Sequence, residues 1–206
     1  CTEGSHCSEC GEVLSKSEVI PATGHKLVYK VCSVCGYEVP FPFVDVSKTD
    51  WFYNDVKYVW QHDIMNGVSD TLYSPDGKVT VAQGITMASR VHASYNGKQI
   101  EITSGEWYDM YVKYALANGI IKEGQFDSYT RPIQRYEMAV LFASSMPADY
   151  FKAKNDISSI PDIASYKPYC KDILMLYNAG VVLGSDEYGT FYPNNDIKRC
   201  EAAAII

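Results

Sequence analysis

The apolar positions of the chain fall into stretches of helical spacing, separated by short loops that carry glycine, proline and tyrosine. Val56, Val59 and Trp60 share one helical face, and Trp51 opens the same run. Trp107 to Leu116 and Tyr166 to Tyr177 repeat this amphipathic pattern. Each run closes on a glycine-bearing stop: Asp63-Ile64-Met65-Asn66-Gly67, Gly119-Ile120-Ile121-Lys122-Glu123-Gly124 and Gly180-Val181-Val182-Leu183-Gly184. A short loop follows, with Tyr73 and Pro75, Phe126, or Phe191 and Pro193. A second helix is then predicted behind Val79-Thr80-Val81-Ala82-Gln83, Ile133-Gln134-Arg135-Tyr136-Glu137 and Ile197-Lys198-Arg199-Cys200-Glu201. The chain is a helix–loop–helix unit repeated three times, with motif copies 54 and 64 residues apart.

The helix starts carry the first chemical signal. Thr80 and Gln83 have the spacing of a capping box, and Glu137 and Glu201 put an acid at the same third position. Arg135 and Arg199 oppose the helix dipole in the first turn, at a cost of roughly a few tenths of a kcal/mol. An unfavourable charge repeated at one position suggests that it is there to meet an anion. Val81 replaces that cation in the first copy.

With Phe43-Val44-Asp45-Val46 as an opening, the Gly119–Gly124 stop and Phe191-Tyr192-Pro193, the units resemble S-layer homology repeats. That pattern runs from F-x-D-V through a Trp-led helix ending in G-I-x-x-G, to F-x-P and a helix beginning T-R-A-E. The resemblance covers roughly residues 41–206 and implies a mainly α fold, with three helix–loop–helix repeats set in a pseudo-three-fold bundle. It further implies an extracellular cell-wall module that is not an enzyme. Such modules bind secondary cell-wall polysaccharide in the grooves between repeats, a glycan that carries ketal-linked pyruvate in the best-known cases. The ligand-binding candidates are then Arg135, Arg199, Trp51, Trp107, Gly124, Gly184 and Asp45. A guanidinium grips a carboxylate through two parallel hydrogen bonds, and an exposed indole offers a stacking platform for a pyranose.

Three of these positions also have a plainer reading, Glu137 among them. Trp51 reads more simply as core, Arg135 as an ion pair with Glu137 or a neighbouring repeat, and Glu137 as a cap partner. Repeat 2 holds the fullest set, with Trp107, Gly124, Arg131, Arg135 and Glu137, which puts the most competent groove near Arg135. Gln134 and Lys198 stand where the family pattern has its capping Thr, so both helix starts are expected to be weaker. The alternative function is a degenerate scaffold, structural or protein-binding, that no longer takes sugar; Val81, Gln83 and the missing Thr residues favour it.

Pro40-Phe41-Pro42 marks a boundary, which gives an N-terminal domain (1–40) and repeats at 41–100, 101–154 and 155–206. In the first, Cys7-Ser8-Glu9-Cys10-Gly11 and Cys32-Ser33-Val34-Cys35-Gly36 resemble a small β zinc ribbon. A structural Zn²⁺ held by Cys7, Cys10, Cys32 and Cys35 is one ligand set; Cys1, Cys7, Cys10 and His25 is the rival, and two disulfides the third possibility. A domain of about 40 residues has little core, so a metal would supply much of its folding free energy. Cys170 and Cys200 read as small buried residues or as a bonded pair.

Bulk properties narrow the classes. A net charge of −7 argues against nucleic acid and anionic membrane as partners, and no apolar run is long enough to insert in a membrane. No H-E-x-x-H, G-x-S-x-G, P-loop or G-x-G-x-x-G pattern is present. The chain starts at Cys1 and stops inside a predicted helix, which suggests a fragment of a longer protein; within it a monomeric three-repeat unit is expected.

Overall fold

The computed structural model describes residues 25–206 and, before them, the backbone of two strands, β1 (Thr2–His6) and β2 (Val13–Val19), which pair antiparallel. Cys1, Cys7 and Cys10, and with them the complete form of both expected zinc sets, lie outside the described residues. The chain divides into two compact units, Cys1–Pro40 and Phe41–Ile206.

The first unit adds a second small hairpin, β3 (Leu27–Val28) and β4 (Val31–Cys32). Its turn residues Tyr29 and Lys30 have φ of 51° and 60°. Positive φ at both central positions is the signature of a turn whose twist matches the flanking strands.

The second unit is helical: α1 (Tyr53–Gln61), α2 (Val81–Tyr95), α3 (Asp109–Ala117), α4 (Arg135–Ser145), α5 (Cys170–Ala179) and α6 (Arg199–Ile205). Helices alternate between the first and second position of each predicted unit. None of the described helices is long and apolar enough to cross a membrane. The packing is cyclic: α3 lies on α2, α5 on α4, and α1 on α6, with α2 against α4. Each first helix therefore covers the second helix of a different repeat.

Backbone hydrogen bonds tie the second helices together at their starts. Ile133 N donates to Val79 O (2.8 Å), Val79 N to Ile197 O (3.1 Å), and Ile197 N to Ile133 O (3.2 Å). The three side chains are fully buried, so this ring forms at the centre of the core. The next N–H groups would be orphans of the first helical turn, and loop carbonyls of the following repeat take them. Val81 N reaches Arg131 O, Arg135 N reaches Asn195 O, and Arg199 N reaches Gly77 O, all at 2.8–3.0 Å. Ala82, Tyr136 and Cys200 repeat the arrangement with Tyr129, Pro193 and Pro75.

The caps follow from chemistry. Thr80 and Gln83 form the expected reciprocal box at 3.3 and 3.0 Å. Glu137 and Glu201 accept the N–H of Gln134 and Lys198 at 2.9 and 2.8 Å. The lysine has no acceptor to return, and the Gln134 amide nitrogen instead donates to Asn194 O (3.2 Å).

One sequence expectation needs correction. Trp51 is not core: it stands in the turn before α1, 67% exposed, in edge contact with Phe52. The buried ring is Trp60, one face of an aromatic cluster with Phe41 and Phe43. Trp107 is likewise 52% exposed, and in the third repeat the equivalent position before the helix is Pro168. Tyr169 aligns with Phe52 and Tyr108 as the N-cap residue. Of the two readings of Cys170 and Cys200, that of small buried residues holds: both are buried free thiols, not a disulfide.

Candidate functional site

The second helices start at three junctions of like backbone and unlike charge. At the junction of repeats 2 and 3, Arg135 is only 9% exposed. Its Nε donates to Phe191 O (2.8 Å), its guanidinium lies 5.0 Å from the Phe191 ring centre, and its Nη1 pairs with Glu201 Oε1 at 3.1 Å. The cation thus meets an acid of the following repeat rather than its own Glu137.

At the junction of repeats 3 and 1, Arg199 has the same pose. It is 6% exposed, donates from Nε to Tyr73 O (2.8 Å) and from Nη2 to Asn66 O (2.6 Å), and lies 4.6 Å from the Tyr73 ring centre. The residue in the place of Glu201 is here Gln83, which is neutral. Among the described residues Arg199 makes no ion pair with a carboxylate. Burial lowers its pKa below the usual guanidinium range, opposed by the nearby Tyr73 and Asp45.

At the junction of repeats 1 and 2 the charges are reversed. Val81 is fully buried where the arginine would stand, and the acid of the next repeat is Glu137, 8% exposed. Arg131 supplies the missing cation from the loop. It grips Glu137 with both η nitrogens (2.8 and 2.7 Å), reaches Asp127 at 2.8 Å, and lies 6.0 Å from the Phe126 ring centre. The bond to Glu137, then that to Asp127, raises its pKa.

Among the described residues no fully buried side-chain nitrogen or oxygen lacks a partner. Among the described residues Nη2 of Arg135 and Nη1 of Arg199 have no hydrogen-bond partner, and neither is fully buried. Each arginine is therefore a held cation with one donor edge still free.

Asp45 is committed elsewhere. Its two carboxylate oxygens accept from Tyr73 N (2.8 Å) and Ser74 N (2.7 Å), as Asp162 accepts from Phe191 N (2.9 Å) and Tyr192 N (2.7 Å). Ser74 and Tyr192 sit at φ of 60° and 55°, a conformation costing about 1–2 kcal/mol without glycine. The aspartates offset that strain and hold the aromatic residue under the arginine.

Gly184 lies where a Cβ would run into the Gly189 backbone, 2.3 Å from its Cα. Gly124 instead is required by its φ of 69° alone, having open space around it. The junctions split the set expected around repeat 2. Arg135 belongs with Phe191 and Glu201 of repeat 3, whereas Trp107 stands by Tyr108, which contacts Tyr129 at the start of α2. Tyr73, Phe191 and Gln83 were not singled out as site residues. Their signal lies in the repeat alignment: the same loop residue underlies each arginine, and the same third helix position faces it from the next repeat.

A separate cluster occupies the first unit. Ligand atoms of His25, Cys32 and Cys35 lie within 4.8 Å of one another. The backbone N–H of Cys35, then that of Val34, and then His25 stabilise the Cys32 thiolate, bringing the thiol down to about 6. Cys32 and Cys35 are not joined as a disulfide.

Residues 42–83 and 159–203 match the S-layer homology domain. The S-layer homology segments contain Asp45, Trp51, Gly184 and Arg199; Arg135, Trp107 and Gly124 fall between them. The chain is 27% identical over 177 residues to the exoglucanase XynX of Acetivibrio thermocellus, covering 78% of this chain and 16% of that protein. It is 27% identical over 173 residues to an amylopullulanase of Thermoanaerobacterium thermosulfurigenes (76% and 9%). A surface-layer 125 kDa protein of Lysinibacillus sphaericus is 25% identical over 114 residues (50% and 10%). The chain thus spans less than a fifth of the length of these relatives. The S-layer homology matches and this company place the chain at the cell surface.

Proposed function

We propose that residues 41–206 form a non-covalent, non-catalytic cell-wall anchor of three repeats in pseudo-three-fold arrangement. It binds an acidic, carboxylate-bearing wall polysaccharide in the grooves between repeats. The observation that carries this reading is Arg199: a guanidinium 6% exposed, without a carboxylate partner or, at one nitrogen, any hydrogen-bond partner among the described residues. A buried cation without a directly paired carboxylate is costly, and an acidic sugar supplies that partner through a guanidinium–carboxylate pair. Arg135 already has Glu201, so its groove is the weaker of the two. Exposed Trp51, in the matched first segment, offers the apolar face for a sugar ring.

The degenerate-scaffold reading keeps one observation in its favour. At the junction of repeats 1 and 2 Val81 is apolar and Arg131 is saturated by Glu137 and Asp127. That junction is structural in either reading.

The test is sedimentation of the protein with Gram-positive wall sacculi, before and after chemical removal of the wall polysaccharide, with Arg199→Gln and Arg135→Gln alongside. Polysaccharide-dependent binding that Arg199→Gln loses and Arg135→Gln largely keeps is the expected result. Binding that survives removal of the polysaccharide, or that Arg199→Gln leaves intact, overturns the assignment.

A further inference from the structure

We propose that the first unit binds one zinc-type divalent cation through Cys32 Sγ, Cys35 Sγ and the imidazole of His25. This site mixes the two ligand sets that the sequence left open, and it is independent of the anchoring reading.

Geometry comes first. A tetrahedral ion with Zn–S of about 2.3 Å and Zn–N of about 2.0 Å sets sulfur and nitrogen about 3.5 Å apart. Cys35 Sγ and His25 Nδ1 are 3.4 Å apart, and all three ligand atoms fall within 4.8 Å. The separations suit a shared ion with little movement.

The backbone explains why they converge. Cys32 ends β4, and Gly36, at φ 73° and with nothing within 4 Å of a would-be Cβ, closes the turn by donating its N–H to Cys32 O (2.9 Å). The glycine is there for its dihedral angle, which lets the turn aim both sulfurs to one side. On the opposite side, Ser33 N and Oγ both donate to Lys26 O (2.9 and 3.2 Å), which pins the residue next to His25 beside the turn. The His25 ring stacks on Tyr37 at 4.3 Å between centroids and 13° between planes. Cys32 N in turn donates to Tyr37 O (2.7 Å), so the aromatic that orients the imidazole is fixed to the same strand. Contacts around a ligand of this kind hold its ring in a productive orientation.

Thiolate and imidazole ligands favour zinc over calcium or magnesium, which take oxygen. Three protein ligands leave a fourth tetrahedral position for water or a further side chain.

The experiment uses the full 206-residue chain. The thiols are reduced, the metal is removed by chelation, and the protein is titrated with Co²⁺ and then Zn²⁺. Visible spectra and X-ray absorption supply the readout. The expected result is one equivalent of tightly held metal, thiolate-to-cobalt charge transfer, and a first shell with imidazole nitrogen and at least two sulfurs. His25→Ala and Cys32→Ser/Cys35→Ser each weaken uptake at least tenfold. His25→Cys restores it with a sulfur-richer spectrum, which a merely structural histidine would not do. A shell of four sulfurs without imidazole, uptake unchanged in His25→Ala, or no stoichiometric uptake each overturns the assignment.

Discussion

Replacing Gln83 by glutamate tests the charge logic of the junctions, because it changes one charge and almost no shape. Gln83 Oε1 accepts the Thr80 N–H at 3.0 Å, a bond that a carboxylate oxygen keeps, as Glu137 and Glu201 do at 2.9 and 2.8 Å. The second oxygen then stands where Glu201 Oε1 meets Arg135 Nη1 at 3.1 Å, but facing Arg199. A negative charge at the start of α2 contributes about 0.3–1 kcal/mol, and a hydrogen bond to a charged group about 1.5–3 kcal/mol. Desolvating the carboxylate takes part of this back; the side chain of Glu201 keeps 30% exposure in the equivalent pair. The net expectation is about 1–2 kcal/mol of added stability, or a Tm higher by roughly 2–8 °C at about 2–4 °C per kcal/mol. The same new carboxylate competes with a bound acidic sugar, so wall affinity falls by a factor of about 5–30 for that energy. Calorimetry of Gln83→Glu in the native and Arg199→Met backgrounds, with the sedimentation assay, reads both effects. A Tm gain as large without Arg199 as with it, or a Tm that falls, refutes the pairing and with it the view of Arg199 as a cation awaiting an anion.

Other expectations follow from the same contacts. Arg131→Ala leaves Glu137 buried with its two charged hydrogen bonds gone; since Arg131 is itself 31% exposed, urea unfolding should show a loss of about 1–3 kcal/mol rather than the larger value of a fully buried pair. Trp51→Ala and Trp107→Ala should unfold within about 0.5 kcal/mol of the native protein, and Trp51→Ala should weaken wall sedimentation if its ring stacks on sugar. His92 has its pKa lowered by burial and then by Lys98, while its Nδ1 faces the Tyr114 hydroxyl at 2.8 Å. The unfolded chain therefore takes up the proton first. The neutral ring's contribution is complete above the ordinary value of about 6.5 and declines as pH falls through the lower folded value. The slope of stability against pH below 6.5 should flatten in His92→Gln.

The helices were legible because their alternation of apolar faces survives substitution. The arginines were legible too, as charges placed against a helix dipole. Their partners were not. Arg135 finds Glu201, and Arg199 finds Tyr73 and Asn66, only because the packing is cyclic, and each partner comes from the next repeat rather than from the arginine's own. Reading within one repeat pairs Arg135 with Trp107, which the fold sends to another junction. Trp51 misled for a local reason: helical spacing continues through it, but the helix begins at Tyr53, after the ring has already turned outward. In the first unit the two Cys-x-x-Cys pairs drew attention as a set, whereas the stacking of His25 on Tyr37 joins residues whose contact no spacing rule encodes.

The hydrogen-bonded ring of Val79, Ile133 and Ile197 gives this part of the chain an uncommon response to load. In a linear stack of repeats, tension peels units one after another from an end. Here α1 is covered by α6, so the first repeat cannot leave without uncovering the last, and the ring loses two of its three bonds whichever segment departs. Tension on residues 41–206 must therefore break several contacts at once. A tether that carries cargo against shear would then fail in one abrupt step and hold its length until that step.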